Sequence, residues 1–365
     1  CERAFGTGEE ADCLEYCPVV GAEHLYALAT YHLVEETRVR VGGVRLYDDG
    51  NRALGGGEGD GGVAEAQACS YARMGVLDMR WNGSRLAMAE ADGGVGVLGM
   101  AGSQAAGDLA LNELSRMPST DSRTGEAHLA LAVDWLGVGR GDEGAGAATR
   151  LLASFSSGQA SVVDVAADGG LAAVEEWRAH EAEVWAAAAS KASPHLLYTG
   201  GDDCRLKLWD LRQGVAAPAA VAARGVYMAG VTCAQECPYE ASLLAVGSYD
   251  DTLRVWDVRQ LRQEVSSAAV GGGVWRIKWH FSDRRWLLAA CMYNGFALLR
   301  CSDAGEAATA ATYAAPHSSI AYGVDWCKLE QSGGGGLHGR GAACSFYDSK
   351  CSLWALECAD EGTAQ

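Results

Sequence analysis

The chain has 365 residues, 49% of them apolar, with 13 cysteines and a formal net charge of −18. That charge argues against direct nucleic-acid binding, since a phosphate backbone would be repelled without a local basic patch, and suits a protein partner with a basic surface. No apolar run reaches the ~18 residues that mark a membrane span, so the sequence reads as a soluble chain, expected to be monomeric and cytoplasmic. The odd number of cysteines, set mostly within strand patterns and without a signal segment, reads as buried free thiols in a reducing compartment. The first residue is Cys rather than Met, which leaves open what precedes it.

Taken in chain order, apolar segments, five of the seven ending in an aromatic residue or proline, recur at "LEYCP" (14), "VLDMRW" (76), "ALAVDW" (130), "VWAAAA" (184), "VYMAGV" (226), "VWRIKW" (274) and "AYGVDW" (321). Between them runs a second pattern: an apolar strand, a tight turn and an alternating strand. Its copies are "LYALATYHL" with "GGVRLYDD", then "LAMAEADGGVGVL" (86–98), "LASFSSGQASVV" (152–163), "YTGGDDCRLKLWDLR" (198–212), "AVGSYDDTLRVWDVR" (245–259), "AACMYNGFALLRC" (289–301) and "AACSFYDSKCSLW" (342–354). Trp209 and Trp256, in the two clearest copies, are 47 residues apart, near the ~40–45-residue period of a propeller blade. The interleaving of the two patterns predicts an all-β fold. It is a single seven-bladed WD-repeat β-propeller over residues 1–365, with four antiparallel strands per blade and innermost strands starting near 14, 76, 130, 184, 226, 274 and 321. Residues 101–126 form the longest insertion and are expected to be mobile. "GGGEGDGG" (55–62) and "GGGG" (333–336) lack a following Lys-Ser/Thr and read as loops. Whether a strand from Cys1 to Gly8 closes the last blade is not legible.

No metal and no cofactor is expected. Cys13/Cys17 and Cys233/Cys237 have a spacing that zinc sites use, but neither pair has a matching His or Cys pair. His180, Thr199, Asp203 and Trp209 read as a structural tetrad, in which Asp orients His and a hydroxyl relays to the indole. His317, Asp348 and Trp354 repeat it in the last blade, with Cys344 at the hydroxyl position. Asp250 and Trp256 keep it in the fifth blade without a His.

Aromatic residues repeat at two further places. Just before the turn Asp or its equivalent stand Asp202, Tyr249, Tyr293 and Tyr347; just after the first apolar position of the inner strand stand Trp185, Tyr227, Trp275 and Tyr322. Both positions are expected at the mouth of the central channel, where these seven aromatic side chains would form a binding rim.

The segments "GSYDDTLRVWDVR" (247–259), "GGGVWRIKWH" (271–280), "ACMYNGF" (290–296), "YGVDW" (322–326), "CSFYD" (344–348) and "ADCLEYCP" (11–18) together resemble the diphthine methyl ester hydrolases, WD-repeat methylesterases of diphthamide biosynthesis. The resemblance spans the seven blades in order and is strongest in the last three. It implies removal of a methyl ester from diphthine methyl ester on elongation factor 2, a protein substrate whose trimethylammonium group the aromatic rim would hold. The residues alone do not show an esterase: there is no G-x-S-x-G elbow and no H-E-x-x-H motif. Side chains alternating toward the channel include Asp78, Arg80, Asp134, Arg276, Lys278 and Asp325. Of these, Arg276 is a candidate to face an oxyanion, and Asp325, or His317, to accept a proton. Two readings stand at this point: a methylesterase, and a non-catalytic adaptor that grips a partner with the top of the propeller.

Overall fold

The computed structural model describes residues 3–49, 67–72, 74–102, 109–137, 149–283, 285–329 and 336–359; the glycine run at 55–62 and most of that at 333–336 lie outside them. These residues form an all-β propeller of seven four-stranded antiparallel sheets. In each sheet the strands follow one another in chain order, most antiparallel neighbours being joined by short turns. The last sheet is the exception. Its outermost strand is Arg3–Gly6, paired with Lys350–Ala359 (Phe5 opposite Cys351), so the two ends of the chain share one blade and close the ring.

The innermost strands are Ala11–Tyr16, Val76–Asn82, Ala130–Leu136, Ala186–Ala189, Val231–Glu236, Arg276–Trp279 and Ala321–Trp326. Each packs against the next, and the seventh against the first, around a central channel. Between successive blades the sheets bury apolar cores, such as Cys13, Leu28-side neighbours Ala27 and Ala29, Met79 and Met88 between blades one and two. Cys13 and Cys17 sit in that core, and Cys233 and Cys237 in the one between blades five and six, where burial pushes the Cys233 thiol up to about 11.

Three sequence expectations change. The first innermost strand starts at Ala11 rather than 14, since its second residue is the polar Asp12, which interrupts the apolar pattern. The fifth starts at Val231 rather than 226, and Val226 and Tyr227 belong to the connection that leads into it. The segment 101–126 is not a free insertion. Ala110–Met117 forms the outer strand of blade two, and the following turn docks on blade three through Ser122 and Gln159 (Nε2 to Oγ 2.6 Å); residues 103–108 lie outside the described ones.

Candidate functional site at the channel mouth

In five blades the innermost strand carries a register shift at its second residue: Asp12, Leu77, Leu131, Thr232 and Tyr322 are skipped in the pairing. A bulge at that point re-aims one side chain out of the ladder. In blades four and six the equivalent residues, Trp185 and Trp275, directly precede the ladder. Side chains from six of these seven positions, with Arg276, line one small cavity on the channel axis, and the seventh, Tyr322, stacks on Trp275 with ring centroids 4.7 Å apart.

A second ring is identified by one repeated backbone hydrogen bond. The amides of Tyr31, Ala91, Ser156, Asp202, Tyr249 and Phe346 each donate to the carbonyl of the residue that leads into the innermost strand of the same blade: Glu10, Gly75, Leu129, Glu183, Gly230 and Ile320. Met292 is the blade-six member, tied instead to blade seven through its carbonyl and the Ala321 amide. Tyr31, Tyr249, Trp275 and Tyr322 pack around Met292, Ile320 and Phe346. The aromatic half of the mouth thus comes from blades four to seven and blade one, and the half with small or aliphatic residues from blades two and three.

The "GGG" before Trp275 has a steric reason. Gly271 has φ +78, and a Cβ on Gly272 would lie 2.2 Å from the Cys291 carbonyl oxygen. Only glycine lets the chain pass so close over the neighbouring turn, and that passage delivers Trp275 to within 5.5 Å of Trp185 and 5.9 Å of Tyr249 between ring centroids.

Of the seven expected rim aromatics, Trp185, Tyr249, Trp275 and Tyr322 come together here, each half-buried. Tyr227 does not. It is 3% exposed, its hydroxyl accepts the Trp256 Nε1–H at 2.8 Å, and Arg254 lies over its ring, so it occupies the blade interior where blade four has its His. Thr232 takes the ring position in that blade. Tyr293 and Tyr347 are also displaced: each follows the true ring member, Met292 or Phe346, by one residue, and they stand 85% and 74% exposed on the rim of a groove between blades six and seven. Tyr31, Phe346 and Asp12 are the mouth residues that the sequence reading missed.

His180 Nδ1 lies 2.8 Å from Asp203 Oδ1, its Nε2 lies 2.8 Å from Thr199 Oγ1, and that hydroxyl accepts the Trp209 Nε1–H at 2.8 Å. Burial holds the imidazole below its ordinary pKa in spite of Asp203, which fits a neutral ring donating from Nδ1 and accepting at Nε2. In blade seven the hydroxyls are serines, not Cys344: His317 Nδ1 meets Ser345 Oγ at 2.6 Å and Nε2 meets Ser352 Oγ at 2.7 Å. Cys344 instead points its thiol at the Ala11 carbonyl.

Those contacts correct two catalytic candidates. His317 has both nitrogens engaged inside its blade, and burial takes its pKa down to about 4. Asp325 is fully buried, accepts the Tyr16 amide at 2.9 Å and the Lys328 ammonium at 3.1 Å, and is held below the usual carboxylate range by Lys278 and Lys328 against the opposing effect of burial. An acid so stabilised as an anion is a poor proton acceptor. It belongs to an ion-pair chain along the channel wall: Arg276 and Arg80 each place Nη1 2.7 Å from Asp78 Oδ1, Arg80 continues to Glu15 at 2.9 Å, and Lys278 meets Glu15. Asp134 is taken up by Lys191 at 2.8 Å. Arg276 alone among the candidates reaches the mouth, since it also lines the axial cavity.

The family model for the WD domain, G-beta repeat, matches residues 172–210 and 227–257. A chain from a crystal structure of the mitotic checkpoint complex superposes with a TM-score of 0.65 at 16% identity, covering 98% of this chain and 92% of that one, and shares its fold. The chain is 27% identical to the diphthine methyltransferase of Schizosaccharomyces pombe over 94% of each chain. It is 33% identical to that of Mus musculus over 90% of its own length and 70% of the relative's. On that similarity the chain belongs to the diphthine methyltransferase family.

Proposed function

We propose that the channel mouth binds diphthine methyl ester on elongation factor 2 and hydrolyses its methyl ester, giving diphthine and methanol. The observation that carries this reading is the half-ring of Trp185, Tyr249, Trp275 and Tyr322 above a cavity containing Asp12 and Arg276. A trimethylammonium group cannot donate hydrogen bonds; what holds it is the negative face of aromatic rings, worth about 0.5–2 kcal/mol per well-placed ring. The ester beside that cation then lies next to a carboxylate and a guanidinium, groups able to move a proton and to stabilise an oxyanion. The relatives' name speaks of methyl transfer; on the present reading water adds to the ester carbonyl and the methyl leaves with its own oxygen as methanol. The chain acts as a monomer in the cytoplasm, and its net charge of −18 favours a basic loop of the partner, weakly at physiological salt. The test is incubation of purified protein with methyl-esterified elongation factor 2. Loss of one methyl mass with release of methanol supports hydrolysis; tight binding without mass change supports the adaptor reading instead.

A further inference from the structure

Asp12 is the one carboxylate among the seven innermost-strand side chains of the first ring, which faces the channel axis. It is 1% exposed, and neither of its oxygens has a hydrogen-bond partner among the described residues. The Nε of Arg276 is likewise buried and unpartnered, its Nη1 being engaged by Asp78. Both residues line the same cavity, together with Trp185 and Trp275, and its volume of about 20 Å³ exceeds the ~10–15 Å³ that one water requires. A buried carboxylate left without partners destabilises a fold by several kcal/mol in order of magnitude, and native proteins pair such groups almost everywhere. Among the described residues, the other acids of the channel wall are paired: Asp78 with two arginines, Glu15 with Arg80 and Lys278, Asp134 with Lys191, Asp325 with Lys328. Structure alone therefore gives no reason for Asp12, and its position beneath the aromatic half-ring gives a chemical one.

We propose that Asp12 is the general base of this site and that Arg276 Nε–H is its oxyanion donor; the assignment rests on the methylesterase reading above. Asp12 takes one proton from a water in the cavity as the water oxygen bonds to the ester carbonyl carbon. The carbonyl π electrons move to oxygen, where Arg276 Nε–H meets the charge. On collapse, the bond from that carbon to the methoxy oxygen breaks, and the methoxide takes the proton from Asp12 and leaves as methanol. The new carboxylic acid ionises to solvent, and Asp12 returns to its starting state. Burial raises the pKa of Asp12 well above the usual carboxylate range, with Arg276 pulling it back, which makes its anion a stronger base than an exposed aspartate.

The test compares wild type, Asp12→Asn and Asp12→Ser for kcat and KM on the methyl-esterified factor, with Tm measured alongside. A positioned general base contributes ~100- to 10,000-fold, so kcat is expected to fall at least 100-fold in both variants, with KM within about threefold because the aromatic half-ring is intact. Tm should stay at or above that of wild type, since the substitutions remove an unpaired buried acid. Two results would overturn the assignment while leaving hydrolysis standing: kcat within about threefold of wild type in either variant, or an unchanged kcat/KM ratio per folded molecule accompanied by a lower Tm. Absence of methanol from the wild type itself would instead remove the methylesterase reading, and the base with it.

Discussion

Trp275 and Tyr322 stack with their ring centroids 4.7 Å apart and their planes inclined by 22°, one from blade six and the other from blade seven. The stacked pair forms one wall of the mouth, with Trp185 and Tyr249 against Trp275. If this wall holds a quaternary ammonium, Trp275→Ala should weaken binding of the methyl-esterified factor roughly 3- to 30-fold, the equivalent of one cation–π contact. Trp275→Phe should retain most of the affinity, and Tm should change little in either variant because Trp275 is only half-buried. Titration calorimetry decides; wild-type affinity in the Ala variant would reduce the wall to packing.

Tyr227 separates scaffold from site within the same aromatic set. Its hydroxyl is the hydrogen-bond acceptor for Trp256 Nε1–H inside blade five. Tyr227→Phe strands that buried donor, at an expected cost of about 1–3 kcal/mol in urea denaturation, with ligand affinity unchanged. A variant that unfolds like wild type but binds poorly would return Tyr227 to the mouth.

The His180, Thr199, Asp203 and Trp209 chain predicts a stability effect without a catalytic one. Asp203→Ala removes the acceptor of His180 Nδ1–H in a mostly buried setting and should lower stability by about 1–3 kcal/mol. Activity per folded molecule should hold at permissive temperature. Lost activity at an unaltered Tm would contradict the assignment.

Two histidines set an acid limit on the fold. Burial lowers His280 and His317 to about 4, whereas in the unfolded chain they titrate near ~6.5. Between those values the unfolded chain binds protons that the folded one refuses, so stability rises with pH. The contribution is fully present above about pH 6.5 and lost as pH falls through 4. Tm should therefore drop from pH 7 to pH 4.5, and His317→Gln should flatten that slope; an identical slope in the variant would refute the mechanism.

How much of this was legible in the sequence depended on register. Blade number followed from repeated turn-and-Trp units, and blades four, six and seven delivered Trp185, Trp275 and Tyr322 because an apolar residue opens each of their inner segments. Blade five misled: "VYMAGV" is a continuous apolar run like the other inner segments but is connection up to Gly230, while the strand "VTCAQE" is half polar. In Tyr293 and Tyr347 the reading slipped by a single residue, enough in a turn to exchange a packed ring position for an exposed one. Asp12 escaped because a lone acid at the start of a strand looks like a loop residue. Only the bulge that turns it toward the axis, and the closure that brings blade one beside blades six and seven, give it a role.

Hydrolysis at the channel mouth is tested most directly by a single-turnover reaction of the purified protein with methyl-esterified elongation factor 2 in ¹⁸O-labelled water. Attack of water on the ester carbonyl predicts one labelled oxygen in the new carboxylate of the factor and unlabelled methanol. A factor that keeps its methyl group, or one that loses it with the label in methanol or with the methyl on another acceptor, would contradict the account.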